Sequence, residues 1–147
     1  MFIAAVRSQP NLTTKGTRIS QARVTAERMV RELRQGRIVY TATATQLSLL
    51  THVYNASCGT ASGGFCRVTY TCATGGTCTR VQANPDGSGA SSAVTVIDGL
   101  ATGNVFSYLS GSGGTNFVTV TFQYPGQNGG TGIKVSDGAA LRGVPIS

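Results

Sequence analysis

Acidic side chains are scarce in this chain. Among 147 residues there are five Asp or Glu, one His and no Trp. That is a thin inventory for acid–base catalysis or for a metal cage, which draw on carboxylates, imidazoles and thiolates. Charged residues make up 12%, about half the globular average of ~25%. Long solvated helices therefore cannot dominate. The apolar run Phe2–Val6 is far short of the ~20 residues that span a bilayer. No cysteine spacing matches the C-x2-C of a zinc knuckle or redox pair, and there is no internal repeat. Glycine is abundant instead, at 20 residues, in a background of Thr and Ser. That mixture points to strands joined by tight turns. The length suits one domain.

The net charge of +7 is unevenly placed. Residues 1–37 carry Arg7, Lys15, Arg18, Arg23, Arg28, Arg31, Arg34 and Arg37 against Glu27 and Glu32, a net of +6. Residues 38–147 carry Arg67, Arg80, Lys134 and Arg142 against Asp86, Asp98 and Asp137, a net of +1. A basic segment can meet nucleic acid, anionic lipid or an acidic partner, or it can be a solvated helix face. Nucleic acid is not the expected partner. There is no helix-turn-helix, and the strands lack the aromatic pairs of an RNA-stacking sheet.

The four cysteines are Cys58, Cys66, Cys72 and Cys78. An even count in a Thr- and Gly-rich β context reads as two disulfides and hence an oxidising compartment. Three pairings are possible. Cys66 and Cys72 on one straight strand would lie roughly 20 Å apart, whereas a disulfide holds its Cα atoms about 5.5 Å apart. The nested pairing is therefore disfavoured. Cys58–Cys66 with Cys72–Cys78 is expected ahead of Cys58–Cys72 with Cys66–Cys78.

Residues 1–16 read as an apolar stub and a polar connector containing Pro10 and Gly16. Residues 17–35 read as a helix. Ile19, Ala22, Ala26, Met29, Val30 and Leu33 fall within one apolar stripe at helical spacing. Glu27 and Arg31 form a favourable i,i+4 pair, and Gly36 is a natural stop. The remainder, 38–142, alternates with period 2. In 38–44, Ile38, Tyr40, Ala42 and Ala44 oppose Val39, Thr41 and Thr43. In 46–54, Leu47, Leu49 and Val53 oppose Gln46, Ser48 and His52. Residues 65–72 and 78–83 read as a hairpin. Residues 93–97 and 131–136 read as further strands. Residues 117–124 are the clearest strand, with Val118, Val120, Phe122 and Tyr124 on one face. The order, one helix and then strands, predicts an α+β fold with the amphipathic helix laid on an antiparallel sheet.

No motif carries catalysis. His52 falls on the polar face of a strand. Ser112 lies in a Gly-rich stretch, but Ser110 stands where a nucleophile elbow needs Gly. Gly111 and Gly113 lack the third Gly of a dinucleotide fingerprint. Asp86, Asp98 and Asp137 are each followed by Gly, which marks turns first. Asn11-Leu-Thr13 and Asn55-Ala-Ser57 match a glycosylation pattern that arises often by chance. No catalytic, cofactor-binding or metal-binding residue is assigned.

Residues 22–37 carry a resemblance. The run from Ala22 through Arg31-Glu-Leu-Arg-Gln35, leading into Gly36-Arg-Ile-Val-Tyr-Thr-Ala-Thr43, resembles the end of the long helix of type IV pilin-like proteins. It is most similar to the J-type minor pseudopilins of type II secretion and the W-type minor pilins. Cys58–Cys72, Val96-Ile-Asp-Gly-Leu100, Val105-Phe-Ser-Tyr108, Val118-Thr-Val-Thr-Phe122 and Val135–Arg142 follow in the order seen in that group. The resemblance implies a non-catalytic structural subunit with no cofactor, partnered by other pilin or pseudopilin subunits. It implies an extracytoplasmic or cell-surface location, with residues 17–147 as a pilin-like head. The family starts with a basic leader, a cleavage site and ~20 apolar residues. The stub Met1–Val6 resembles the tail of that apolar helix. Membrane attachment, at the inner membrane, is expected only through the missing segment. The alternative reading is a secreted, disulfide-stabilised β-rich adhesion module that meets glycan or surface protein through its Gly/Ser loops.

Overall fold

The structure, a computed structural model, describes residues 2–54, 58, 63–111, 114–126 and 132–140. One helix, α1 (Phe2–Arg34), precedes eight strands. These are β1 (Ile38–Ala42), β2 (Gln46–His52), β3 (Phe65–Cys72), β4 (Cys78–Ala83), β5 (Val94–Ile97), β6 (Phe106–Gly111), β7 (Gly114–Tyr124) and β8 (Ile133–Ala140). The fold is α+β, one helix packed against antiparallel strands.

Two expectations need correction. The helix starts at Phe2, not at 17, so the stretch read as a polar connector is helical. Pro10 and Gly16 cost about 3 and 1 kcal/mol in a helix relative to Ala, which is why local sequence puts the boundary after them. The second correction concerns the strands. They form two sheets, β1-β2-β3-β4-β5 and β6-β7-β8, instead of one. The sequence reading has no strand at β6. Phe106-Ser-Tyr-Leu109 is short and enters a Gly/Ser-rich turn. Its pairing with β7, Phe106 opposite Val120 and Tyr108 opposite Val118, makes β7 the centre of the second sheet. Several strand ends also move. The strands expected over 38–44, 46–54 and 131–136 are observed as β1, β2 and β8.

Backbone contacts join the sheets. The Ala44 carbonyl accepts from the N–H groups of Val105 and Phe106 at 2.9 and 3.0 Å, and the Val105 carbonyl accepts from Thr121 N–H at 2.8 Å. Gly76 fixes the β3–β4 turn against residue 100. Its φ of 85° favours glycine, and a Cβ there would stand 2.0 Å from the Leu100 carbonyl oxygen. Gly36 ends α1 for a different reason. A Cβ would meet Leu49 Cδ1 at 3.0 Å and the Leu33 carbonyl at 3.1 Å, so the chain leaves the helix by close approach to β2.

The core lies between α1 and the inner faces of both sheets. Met29 and Leu33 pack in one cluster with Leu47, Leu49, Val68, Tyr70, Ile97, Val118, Val120 and Phe122. Val118, Val120, Phe122 and Tyr124 are all buried, on the expected face of β7. In β1, Val39 is the buried residue and Ile38 the exposed one. A register shift between Val39 and Thr41 breaks strict alternation there.

Two disulfides pin this frame, Cys58–Cys66 and Cys72–Cys78, with Cα separations of 5.7 and 4.0 Å. Cys72 and Cys78 face each other across β3 and β4, so the second bridge closes the turn end of that hairpin. Thiol titration of denatured, unreduced protein should therefore find no free thiol. Peptide mapping should recover Cys72 linked to Cys78. Four titratable thiols in protein taken from the cell envelope would contradict both bridges.

Candidate functional site: the helix and its buried ion pair

The side chains of α1 divide by spacing. Ala22, Ala26, Met29, Val30 and Leu33 are buried and Ile19 is partly covered, so the stripe read from the sequence is the face laid on the sheets. Thr25 and Glu32, seven residues apart, widen that stripe on one flank and are also buried. The opposite face exposes Arg23, Val24, Glu27, Arg28, Arg31 and Arg34. Val24 is 66% exposed, a large apolar side chain among cations. It lines a groove between α1 and β5 with Arg28, Val94 and Val96.

Glu32 is the centre of a buried polar network. On β3 and β4, Tyr70 and Arg80 are register partners, so both project toward the helix from adjacent strands. Arg80 Nη2 donates to Glu32 Oε1 at 2.8 Å, and the Tyr70 hydroxyl donates to Glu32 Oε2. Arg80 Nη1 donates to Gln82 Oε1 at 2.9 Å. Arg28 Nε stands 3.6 Å from Glu32 Oε1 at the solvent edge. The Glu32 backbone carbonyl accepts from Thr51 Oγ1 at 2.7 Å, and Thr25 Oγ1 donates to the Val96 carbonyl at 3.3 Å. Side chains of β2, β3 and β4 thus hold the last turns of the helix, and Thr25 reaches β5.

Electrostatics follow from the burial. Desolvation, then the Glu32 charge, pushes the Tyr70 phenol well above its ordinary range, so it stays a donor. Burial alone would lower Arg80, but Glu32 and Tyr70 more than offset it and hold the guanidinium above its usual value. The pairing is incomplete, because Arg80 Nε is buried with no partner among the described residues. A buried pair with an unmet donor contributes little net stability. Its effect is on register, since the Tyr70 and Arg80 donors from two strands must both meet the one Glu32 carboxylate of the helix.

Sequence reasoning misses this network. Polarity alone would put the charged Arg80 of β4 toward solvent and the apolar Val81 inside. The available signal is phase. Arg80 lies two residues after Cys78, whose bridge to Cys72 faces inward. The i,i+4 pair expected between Glu27 and Arg31 is replaced by Arg28–Glu32, because Glu32 turns toward the sheet while Glu27 and Arg31 stay exposed.

The other candidate residues stay apart. His52 is exposed on β2, its ring edge-on to Phe65 at 5.6 Å. Asp86 accepts from the Ser88 N–H and hydroxyl, which hold its carboxyl below the usual range. Asp98 and Asp137 are exposed, and Asp137 accepts from Gly138 N–H. Among the described residues no three His, Cys, Asp or Glu side chains come together as metal ligands. Ser112, Gly113, Asn55 and Ser57 lie outside the described residues. Asn11 and Thr13 fall in α1, and no helix among the described residues is long and apolar enough to cross a membrane.

Comparison with protein-family models, curated proteins and solved structures finds no match for this chain.

Proposed function

We propose that this chain is a non-catalytic structural subunit of an extracytoplasmic filament of the type IV pilus or type II secretion kind. In this reading it packs through α1 against other pilin-like subunits and displays its β-sheets outward. The observation that carries the reading is the proportion of helix to head. The helix has 33 residues, about 50 Å at 1.5 Å per residue. From residue 16 onward, where side-chain burial is described, its buried side chains run from Ala22 to Leu33, while its backbone begins at Phe2. In this reading its own sheets grip the helix over Ala22–Leu33 and its N-terminal part meets neighbouring subunits.

The resemblance of residues 22–43 to the end of the pilin long helix points the same way. The two disulfides suit an oxidising compartment. Inner-membrane anchoring belongs to the same proposal if the full-length chain has the N-terminal apolar helix.

The test is to shear surface filaments from native cells and blot the pelleted fraction for this chain. The proposal predicts that it co-sediments with the other filament subunits and is released by conditions that dissociate them. Recovery solely as a free monomer in the culture fluid would favour the secreted adhesion module instead.

A further inference from the structure

The outer face of the larger sheet holds a second, polar feature that the filament reading does not use. Thr41, Ser48, Thr69 and Val81 stand in one row across β1, β2, β3 and β4, since each opposes the next in register. Arg67 lies on the same face of β3 as Thr69. Its guanidinium is stacked over the Tyr40 ring at 4.2 Å, and its Nε donates to Ser48 Oγ at 3.3 Å. Ser48 and Thr69 hydroxyls are bonded to each other at 2.9 Å. Tyr40 is tethered in turn, its hydroxyl donating to the Pro85 carbonyl at 3.3 Å. The loop after β4 rises beside this row, and with it borders a solvent-open groove of about 330 Å³ between Gln46, Arg67 and Gly87. A φ of 89° at Gly87 favours glycine, and a Cβ there would lie 3.4 Å from Arg67 Nη1.

Arg67 is thus a preset cation. Stacking and the Nε bond fix its plane, and among the described residues neither terminal nitrogen has a hydrogen-bond or ion-pair partner. Asp86, the nearest acid along the loop, spends one oxygen on Ser88 and forms no ion pair with Arg67. A planar guanidinium with two free parallel donors matches a carboxylate. Around it stand the hydroxyls of Thr41 and Thr69 and the Gln46 side chain, while the buried Ser48 hydroxyl beneath them is bonded to Arg67 Nε and to Thr69. Val81, Ala83 and Ala90 supply a small apolar floor. The volume is at the low end for ligand sites, enough for one ring. We propose that this groove binds a carboxylate-bearing sugar, with Arg67 on the carboxylate and the hydroxyl row on the ring hydroxyls. Its failure would leave the filament reading untouched.

The test is an amide NMR titration of the whole chain with D-glucuronate, D-glucose and inorganic phosphate in parallel. Glucuronate should move the amides of Thr41, Ser48, Thr69 and Gly87 and saturate. Glucose, lacking the carboxylate, should bind at least about tenfold more weakly, the scale of a lost charge-assisted contact. Arg67→Gln should abolish saturation. Arg37→Gln should not, although Arg37 is also stacked on an aromatic ring, that of Phe65 at 4.1 Å. If Arg67→Gln fails to fold, the contrast of glucuronate with glucose on the unmodified chain still decides. A free sugar acid and the acidic end of a polysaccharide present the same groups. A glucuronate-capped trisaccharide separates them: tighter binding than the monosaccharide supports the site with a chain end as ligand, equal binding supports it with the free acid. Equal binding of glucose, equal displacement of the same amides by phosphate, or shifts centred on the arginines of α1 would each overturn the proposal.

Discussion

Glu32→Ala is expected to destabilise the fold by ~3–5 kcal/mol, the range for breaking one side of a buried pair. The substitution leaves the Arg80 guanidinium, 7% exposed, without its counter-charge, and leaves the Tyr70 hydroxyl without an acceptor. At roughly 2–4 °C per kcal/mol for a chain of this size, the melting temperature should fall by about 10 °C. The complementary replacement has the opposite expectation. Glu32→Leu with Arg80→Met and Tyr70→Phe removes the three buried polar members together, and should be near neutral or stabilising. If the single variant melts like the parent, the network is solvated and the helix is not seated through it. If the triple variant loses as much as the single one, the network holds more stability than its unmet Arg80 Nε allows.

Leu33→Ala should cost ~2–5 kcal/mol. Leu33 is 1% exposed and packs in the cluster shared by both sheets, so truncation leaves a cavity under the last turn of α1. Arg28→Ala, on the solvent side of the same helix, removes an ion pair at 3.6 Å whose cation is 53% exposed. That pair should be worth ~0–1 kcal/mol. Denaturant midpoints of the two variants give the comparison. Equal shifts would mean that the stripe does not face the sheets.

The parts of the fold legible in the sequence are those where one physical signal acts alone. The hairpin of β3 and β4 is bounded by its own cysteines and by the Ala73–Thr77 turn, so both strands fall where alternation puts them. Val118 to Tyr124 alternates without interruption, and so does its burial. The stripe Ala22–Leu33 is legible because only the helical period groups those residues. Legibility fails where two signals compete. Pro10 and Gly16 oppose a helix that the structure nevertheless extends to Phe2. At Val39 a register shift overrides alternation. Arg80 and Glu32 are charged residues in apolar positions, and each is tolerated only because the other is there. No reading of one segment at a time can find such a pair. The Arg67 groove is hidden for a related reason, since it depends on the register of four strands and on a loop folding back beside them.

The claim that α1 packs against other subunits is tested most directly at Val24, two-thirds exposed on its outward face. A photo-crosslinking amino acid placed there, in cells assembling filaments, should give an adduct whose partner peptide comes from the N-terminal helix of another filament subunit. The same probe at Thr74, exposed in the β3–β4 turn, should give no helix adduct. A Val24 probe that yields only uncrosslinked monomer, in cells where filaments are present and the chain is folded, would contradict the account.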